Sequence, residues 1–275
     1  MKIILPLLVL IAFALSGCKE RELSIPELSV GARHVLIEEL TGVRCTNCPD
    51  GARLLEDLQD TYGKENLIVV SIHSAQGFND PYTGNHVSQY DFFTEKGKAL
   101  ADYIGPFEGA PCASIARFLP LNGTSPFLLP PAEWPGFIAS EFGKDFSLGL
   151  FVSNDYDPVT RKLDVLVNIA PEVTITDDVR LTVVITQDSI VDPQSDNGVI
   201  KDNYVHRHVF RDVITAPSGD AISTPLSGGS LISKSFSLQI PAEWVAKHCS
   251  VVAYVHRTTA NDKLVLQAAE AHVIE

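Results

Sequence analysis

The chain has 275 residues, with 21 lysines and arginines against 34 aspartates and glutamates, for a net charge of −13. That balance excludes the electrostatic footprint of a nucleic-acid binder, or of a protein held by charge to an anionic bilayer. Five cysteines make thiol chemistry or disulfides the first question.

Residues 1–17 are a lysine followed by an apolar run, Ile3 to Leu15, ending in Leu15-Ser16-Gly17-Cys18. They read as an export signal and not as a spanning helix. Leu-Ser-Gly-Cys resembles the bacterial lipoprotein processing box, which implies cleavage before Cys18 and lipid on that cysteine. The bland alternative is an ordinary secretory signal with an incidental cysteine. Lipid would anchor the chain at about 0.8 kcal/mol per buried methylene. Lys19, with no aspartate after the lipid-bearing cysteine, resembles release to the outer membrane, on its periplasmic face or at the cell surface. Residues 18–32 read as a polar tether. Beyond the signal, the chain is long enough for two domains.

His34-Val35-Leu36-Ile37-Glu38-Glu39-Leu40 predicts a buried strand. Apolar positions Ala52, Leu55, Leu58 and Tyr62 predict a helix. Thr46 or Asn47 is its N-cap, Pro49 lies in its first turn and Gly63 is its stop. Cys45-Thr46-Asn47-Cys48 therefore lies where a strand hands over to a helix. Unpaired N–H groups and the dipole at a helix N-terminus stabilise a thiolate, and Arg44 adds a positive neighbour. Cys45 is the candidate attacking thiol, and Cys48, one turn on and more buried, the resolving thiol. The structural alternative is a local disulfide that staples the helix start.

Asn66 to His73 predicts a second buried strand, parallel to the first. The stretch from Ser74 to Phe92 is an irregular insertion that could frame a substrate groove. Next come a helix around Thr94 to Ile104, a strand in Ala113 to Phe118, a hairpin signal at Asn122-Gly123 and a helix over 131–143. From Phe146 the texture changes. Leu163, Val165, Val167 and Ile169 alternate with polar or smaller residues, as do Leu181, Val183 and Ile185, then Phe236, Leu238 and Ile240. About seven such runs separated by turns predict an antiparallel sandwich, with a boundary near residue 145. Pro-Ala-Glu-Trp at 131–134 and at 241–244 predicts two helical turns, each with a packing tryptophan.

The strand, the Cys-x-x-Cys, the second strand and Ala110-Pro111 opening a later strand together resemble the thioredoxin fold over about residues 31–145. In that family the proline is cis, sits against the disulfide and leaves the preceding backbone, here Ala110, free to hold an extended substrate. A buried acid six residues before the first cysteine assists proton transfer to the resolving thiol, and Glu39 matches it. Burial would raise its pKa. The sequence departs from the family's pattern at Arg44, which replaces a tryptophan, and at Thr46-Asn47.

The lipid box, Glu38 to Gly42 before Cys45 to Pro49, the block Tyr204 to Arg211 and the closing Val265 to Glu270 resemble a family of 28-kilodalton outer-membrane lipoproteins of Gram-negative anaerobes. That resemblance implies an α/β thioredoxin-like domain (33–145) followed by an all-β immunoglobulin-like sandwich (146–275).

Two functions are expected from these residues. One is a lipid-anchored thiol–disulfide oxidoreductase-like protein acting on protein thiols or disulfides. In it Cys45 attacks, Cys48 resolves, Glu39 relays the proton, and Ala110, Pro111 and Arg44 hold substrate. The other is a surface binding or adhesion lipoprotein with a structural Cys45–Cys48 disulfide. No cofactor or metal is called for, and nucleic acid is not an expected partner. Cys112 and Cys249 are either free and buried or paired with each other. Cys112, just after Pro111, either fills the core or exchanges with Cys45. His206 and His208, at i and i+2, are expected on one strand face in a hydrogen-bonded patch with Tyr204 and Arg211, and His73 as a satisfied structural histidine.

Overall fold

The computed structural model describes residues 32–274 apart from 76, 122, 129, 260 and 261. The signal at 1–17, Cys18, nearly all of the tether, and Asn122 of the expected hairpin turn lie outside the described residues.

The first apolar run forms strand β1 (Val35–Thr41), buried throughout. Helix α1 (Cys48–Tyr62) comes next, with Pro49 in its first turn, where the missing N–H costs no hydrogen bond. Gly63, at φ 89°, ends it in a conformation that strains other residues. Strand β2 (Leu67–His73) returns parallel to β1, Val35 opposite Leu67. Helix α2 (Glu95–Ile104) begins at Thr94, whose hydroxyl accepts from the Gly97 N–H. Strand β3 (Cys112–Ile115) lies antiparallel to β1, and β4 (Phe127–Leu128) antiparallel to β3. β3 stops short of the expected Phe118 because Ala116 and Arg117 take positive φ and turn the chain. Pro131–Glu133 is a 3-10 turn leading into α3 (Trp134–Phe142). The second Pro-Ala-Glu-Trp is only a turn, closed by Trp244 N–H to Pro241 O at 3.1 Å, though both tryptophans are buried. The order of these strands is β2-β1-β3-β4. Tyr62 of α1 stacks on Phe142 of α3, and Gly97 of α2 lies against Ile72 and Phe210.

Strands β5 (Leu148–Tyr156), β6 (Lys162–Pro171), β7 (Val179–Gln187), β8 (Ile190–Asp196), β9 (Val199–His206), β10 (Val209–Val213), β11 (Asp220–Ala221), β12 (Ile232–Gln239), β13 (Cys249–Arg257) and β14 (Val265–His272) make up the remainder. β12, β6 and β5 form one antiparallel sheet, and β8 with β9 a separate hairpin. The expected boundary falls between α3 and β5, yet the halves are not separate sheets. β10 pairs in parallel with β2, Val209 opposite Ser71, and antiparallel with β7. Among the described residues this gives one nine-stranded sheet, ordered β14-β13-β7-β10-β2-β1-β3-β4, with β11 on β7.

Two cores therefore lie on opposite faces of β7 and β13. Val184, Val252 and Tyr254 pack with Leu36, Leu40 and Ile72. Val183, Ile185, Val251 and Val255 pack with Leu163, Val165 and Val167 of β6. Strand side chains alternate faces, so both sets are buried at once. The polar or smaller residues that alternate with Leu181, Val183 and Ile185 are enclosed as well: Thr182 and Val184 are fully buried. No helix among the described residues is long and apolar enough to cross a membrane.

Candidate functional site

β1 leaves the sheet at Gly42, where a side chain would meet the Phe78 carbonyl oxygen at 2.5 Å. Only glycine lets the exit pass so close to that loop. The Arg44 N–H donates to the same oxygen at 2.9 Å, and the Cys45 N–H closes a turn onto Gly42 O at 3.0 Å. Cys45 and Cys48 are joined in a disulfide. Asn47 occupies the N-cap position without a side-chain cap bond, and the Thr46 hydroxyl is engaged elsewhere, accepting from the Gly198 N–H at 2.5 Å.

That bond belongs to a cover. The β8–β9 hairpin lies over the disulfide loop: Ser195 N–H donates to Val43 O at 2.8 Å and Asn197 N–H to Thr46 O at 2.9 Å. The Gln194 side-chain amide donates to Gly42 O at 3.2 Å and Cys45 O at 3.0 Å. Beneath it both cysteines are 2% exposed. This overturns the expectation of Cys45 as a reachable thiol with Cys48 behind it; the two are equally enclosed.

Arg44 also departs from its expected role. Its guanidinium donates to Asp80 O at 2.6 Å and Pro81 O at 2.9 Å and lies 4.5 Å from the Tyr82 ring centroid. It fastens the insertion loop and is not turned to a substrate.

Behind Cys48 is a cavity of about 30 Å³, room for one water, bordered by Glu39, Ser71, His73, Tyr204 and His206. Glu39 is 2% exposed, and burial pushes its pKa up to about 7, against a smaller opposing effect of the Ser71 hydroxyl that donates to Oε2 at 2.9 Å. Glu39 Oε1 has no hydrogen-bond partner. Burial holds His73 well below the ordinary histidine range and His206 down to about 4, so both are neutral. His73 Nδ1 also lacks a partner among the described residues, so the structural histidine expected there has one ring nitrogen left without a hydrogen bond. Pro111 and Glu39 converge on the first turn of α1: a side chain on Gly51 would meet Pro111 Cβ at 3.2 Å and Glu39 Oε1 at 3.3 Å. The Ala110–Pro111 bond is cis.

Along the insertion loop that Arg44 fastens lies an open groove of about 960 Å³. One wall is the 77–81 segment held by Arg44; the other is 105–109, which runs on to Pro111. The expected groove-framing role of the insertion after Ser74 is thus present in outline.

Cys112 and Cys249 are free, fully buried and unpaired, and burial pushes each thiol up to about 12. Neither has thiolate character for exchange. His206 and His208 do not share a strand face. β9 ends at His206, and His208, at φ 53°, turns the chain, which breaks the alternation. His206 joins the cavity, while His208 Nε2 lies 3.1 Å from Gln59 Oε1 of α1. Tyr204 lies against His206, but Arg211 packs on Trp244 instead.

The covering residues Gln194, Ser195 and Asn197 escaped the sequence reading. Asn197-Gly198, both at positive φ, is the two-residue signal that could have located the hairpin. Nothing local says what it covers.

A largely β, mixed α/β protein with a single Cys-x-x-Cys disulfide beneath a β-hairpin is the class these features define among the described residues. Residues 97–275 match the family model of outer membrane protein Omp28, and the chain belongs to that family; its location is the outer membrane. The matched span begins within α2 and does not include Cys45 or Cys48. No curated protein sequence matches the chain. Among solved structures, HBP35 of Porphyromonas gingivalis is similar over 88% of this chain and 76% of its own, at 19% identity and a TM-score of 0.67, a likeness of fold. A domain of the outer membrane lipoprotein Omp28 from Porphyromonas gingivalis matches 48% of this chain and 91% of its own, at 16% identity and a TM-score of 0.34. Spo0M, a sporulation control protein from Bacillus subtilis, matches 47% and 49%, at 11% identity and a TM-score of 0.34.

Proposed function

We propose that this chain is a lipid-anchored polypeptide-binding protein of the outer membrane, tethered through Cys18, in which the Cys45–Cys48 disulfide is structural. Its first half is thioredoxin-like, on the strength of the order β2-β1-β3-β4, helices packed on that sheet, and Pro111 beside the first turn of α1. Its second half is an immunoglobulin-like sandwich whose inner sheet continues the first.

The observation that carries this is the 2% exposure of Cys45 beneath the hairpin. Thiol–disulfide exchange needs a sulfur that another sulfur can approach. Each hydrogen bond holding the cover contributes about 1 kcal/mol, so exposing the disulfide costs on the order of 5 kcal/mol. At about 1.4 kcal/mol per tenfold, roughly one molecule in several thousand would be open.

A second function is favoured by Glu39. A disulfide that only staples a helix needs no buried carboxyl beside it, and an unpartnered Oε1 is a cost. With the hairpin lifted and Cys45–Cys48 first reduced by exchange with an external dithiol, which leaves as its disulfide, a Cys45 thiolate would attack a substrate disulfide to give a mixed disulfide and release one substrate thiolate. Glu39, as carboxylate, would take the Cys48 proton. Cys48 would then attack Cys45, re-forming the Cys45–Cys48 bond and leaving the substrate reduced.

Replacing Cys48 with serine decides between the two. Structural use predicts no mixed disulfides on Cys45 in the exported fraction, and a wild-type reduction potential below about −300 mV. Partners trapped on Cys45 would instead establish the exchange function.

A further inference from the structure

The groove along the insertion loop has three features that its part in a binding protein leaves unexplained. It is bordered by Ser74, 6% exposed, whose hydroxyl has no hydrogen-bond partner among the described residues. A buried hydroxyl without a partner costs free energy unless something arrives to complete it. At its border, the backbone N–H groups of Phe107, Glu108 and Gly109 donate to no other backbone oxygen among the described residues. A run of unpaired backbone groups is what an extended chain pairs with.

The third feature is charge. Asp80, on the segment that Arg44 fastens, and Glu108 both border the groove, and neither has an ion-pair partner among the described residues. Asp91 and Asp102 also border the groove, and the lone lysine there, Lys98, is already paired with Asp102 at 2.5 Å. The apolar share comes from the rings of Phe78, Phe93 and Phe107. Such a surface repels an anionic chain and attracts the ammonium or guanidinium of a cationic one, whose methylene stem can lie along the rings.

We propose that this groove is a binding site for an extended polypeptide segment bearing lysine or arginine. Its backbone pairs along Phe107 to Gly109, its cations are held by Asp80 and Glu108, and a polar group of the segment completes Ser74. This rests on the polypeptide-binding function above and names its ligand class.

The test uses the full chain with fluorescein-labelled, Gly/Ala/Ser-based decapeptides that differ only in two central positions: Arg-Arg, Ser-Ser or Glu-Glu. Anisotropy should give at least tenfold tighter binding of the Arg-Arg peptide. Between 0.1 and 1 M salt, as the screening length falls from about 10 Å to about 3 Å, that preference should fade. Asp80→Asn combined with Glu108→Gln, both at exposed positions, should abolish the preference and leave Ser-Ser binding and the melting temperature unchanged. Ser74→Ala should weaken all peptides alike. Equal affinity for the three peptides overturns the charge assignment and leaves the polypeptide-binding function standing; binding of none overturns both. Displacement of the Arg-Arg peptide by spermidine or calcium at concentrations matching the peptide's own Kd would make this a small-cation site and sink the proposal.

Discussion

The side-chain amide of Gln194 donates to the carbonyl oxygen of Cys45 at 3.0 Å. The same nitrogen also reaches Gly42 O at 3.2 Å and Ser195 O at 2.9 Å, so two N–H bonds are shared among three acceptors. One glutamine thus ties the hairpin tip to the loop that carries the disulfide, and it is itself 2% exposed.

Gln194→Ala removes one hydrogen bond from each of the Gly42 and Cys45 carbonyls, which keep the Cys45 and Cys48 N–H groups as donors, at a cost of about 1–3 kcal/mol. Stability in urea should fall by that amount. Because the cover is easier to lift, reduction of the disulfide by dithiothreitol should speed up about tenfold. Identical reduction rates in variant and wild type would mean that the hairpin does not guard the sulfur.

The Glu39 carboxyl gives a pH signature. Its folded pKa, raised by burial from 4.5 to about 7, means that the native state binds more protons than the unfolded state in between. Its contribution is fully present below about pH 4.5 and is lost as pH rises through 7. Glu39→Gln should therefore match wild type near pH 4 and exceed it by up to about 3 kcal/mol at pH 8. His73 and His206, both held low by burial, are neutral at the upper end of this window, so the difference at pH 8 is free of them. A difference that shrinks with rising pH would contradict the assignment.

Gly51→Ala would ordinarily stabilise a helix by about 1 kcal/mol. Here the new methyl would stand 3.1 Å from Trp134 Cη2, 3.2 Å from Pro111 Cβ and 3.3 Å from Glu39 Oε1. Two of these neighbours are rings with little room to yield, so the net effect should be a loss of about 1–3 kcal/mol. Chemical denaturation measures it, and a gain would show that α1 can shift away from Pro111.

Across the two halves, Arg117 donates to both oxygens of Glu38, at 2.8 and 2.7 Å, and the Tyr254 hydroxyl donates to Glu38 Oε1 at 3.0 Å. The pair is almost wholly removed from water. Arg117→Met strands a buried carboxylate and should cost about 3–5 kcal/mol, while Arg117→Met with Glu38→Leu should recover most of that. Since the sheet is continuous, calorimetry should show one unfolding transition; two would mean that the halves melt separately.

β1, α1 and β2 were legible because each is a local pattern: an unbroken apolar run, a helical repeat closed by Gly63, and a second run. The Cys45–Cys48 bond was legible from spacing, and Glu39 and Pro111 from their offsets in a motif. Arg44 was misread because its carbonyl partners, on Asp80 and Pro81, lie 36 and 37 residues away across an irregular loop. The burial of β7 and β13 on both faces was not legible, because composition along a strand does not say how many layers will cover it.

Residue order alone dictates which groups are bonded neighbours and which segments repeat: the strand-to-helix junction, the disulfide, and the acid six residues before it. Whether those sulfurs meet solvent is settled by the folded chain and by nothing short of it. Exposure depends on every atom nearby, and the atoms that exclude water from Cys45 come from about 150 residues further along the chain, with no local trace in its own stretch.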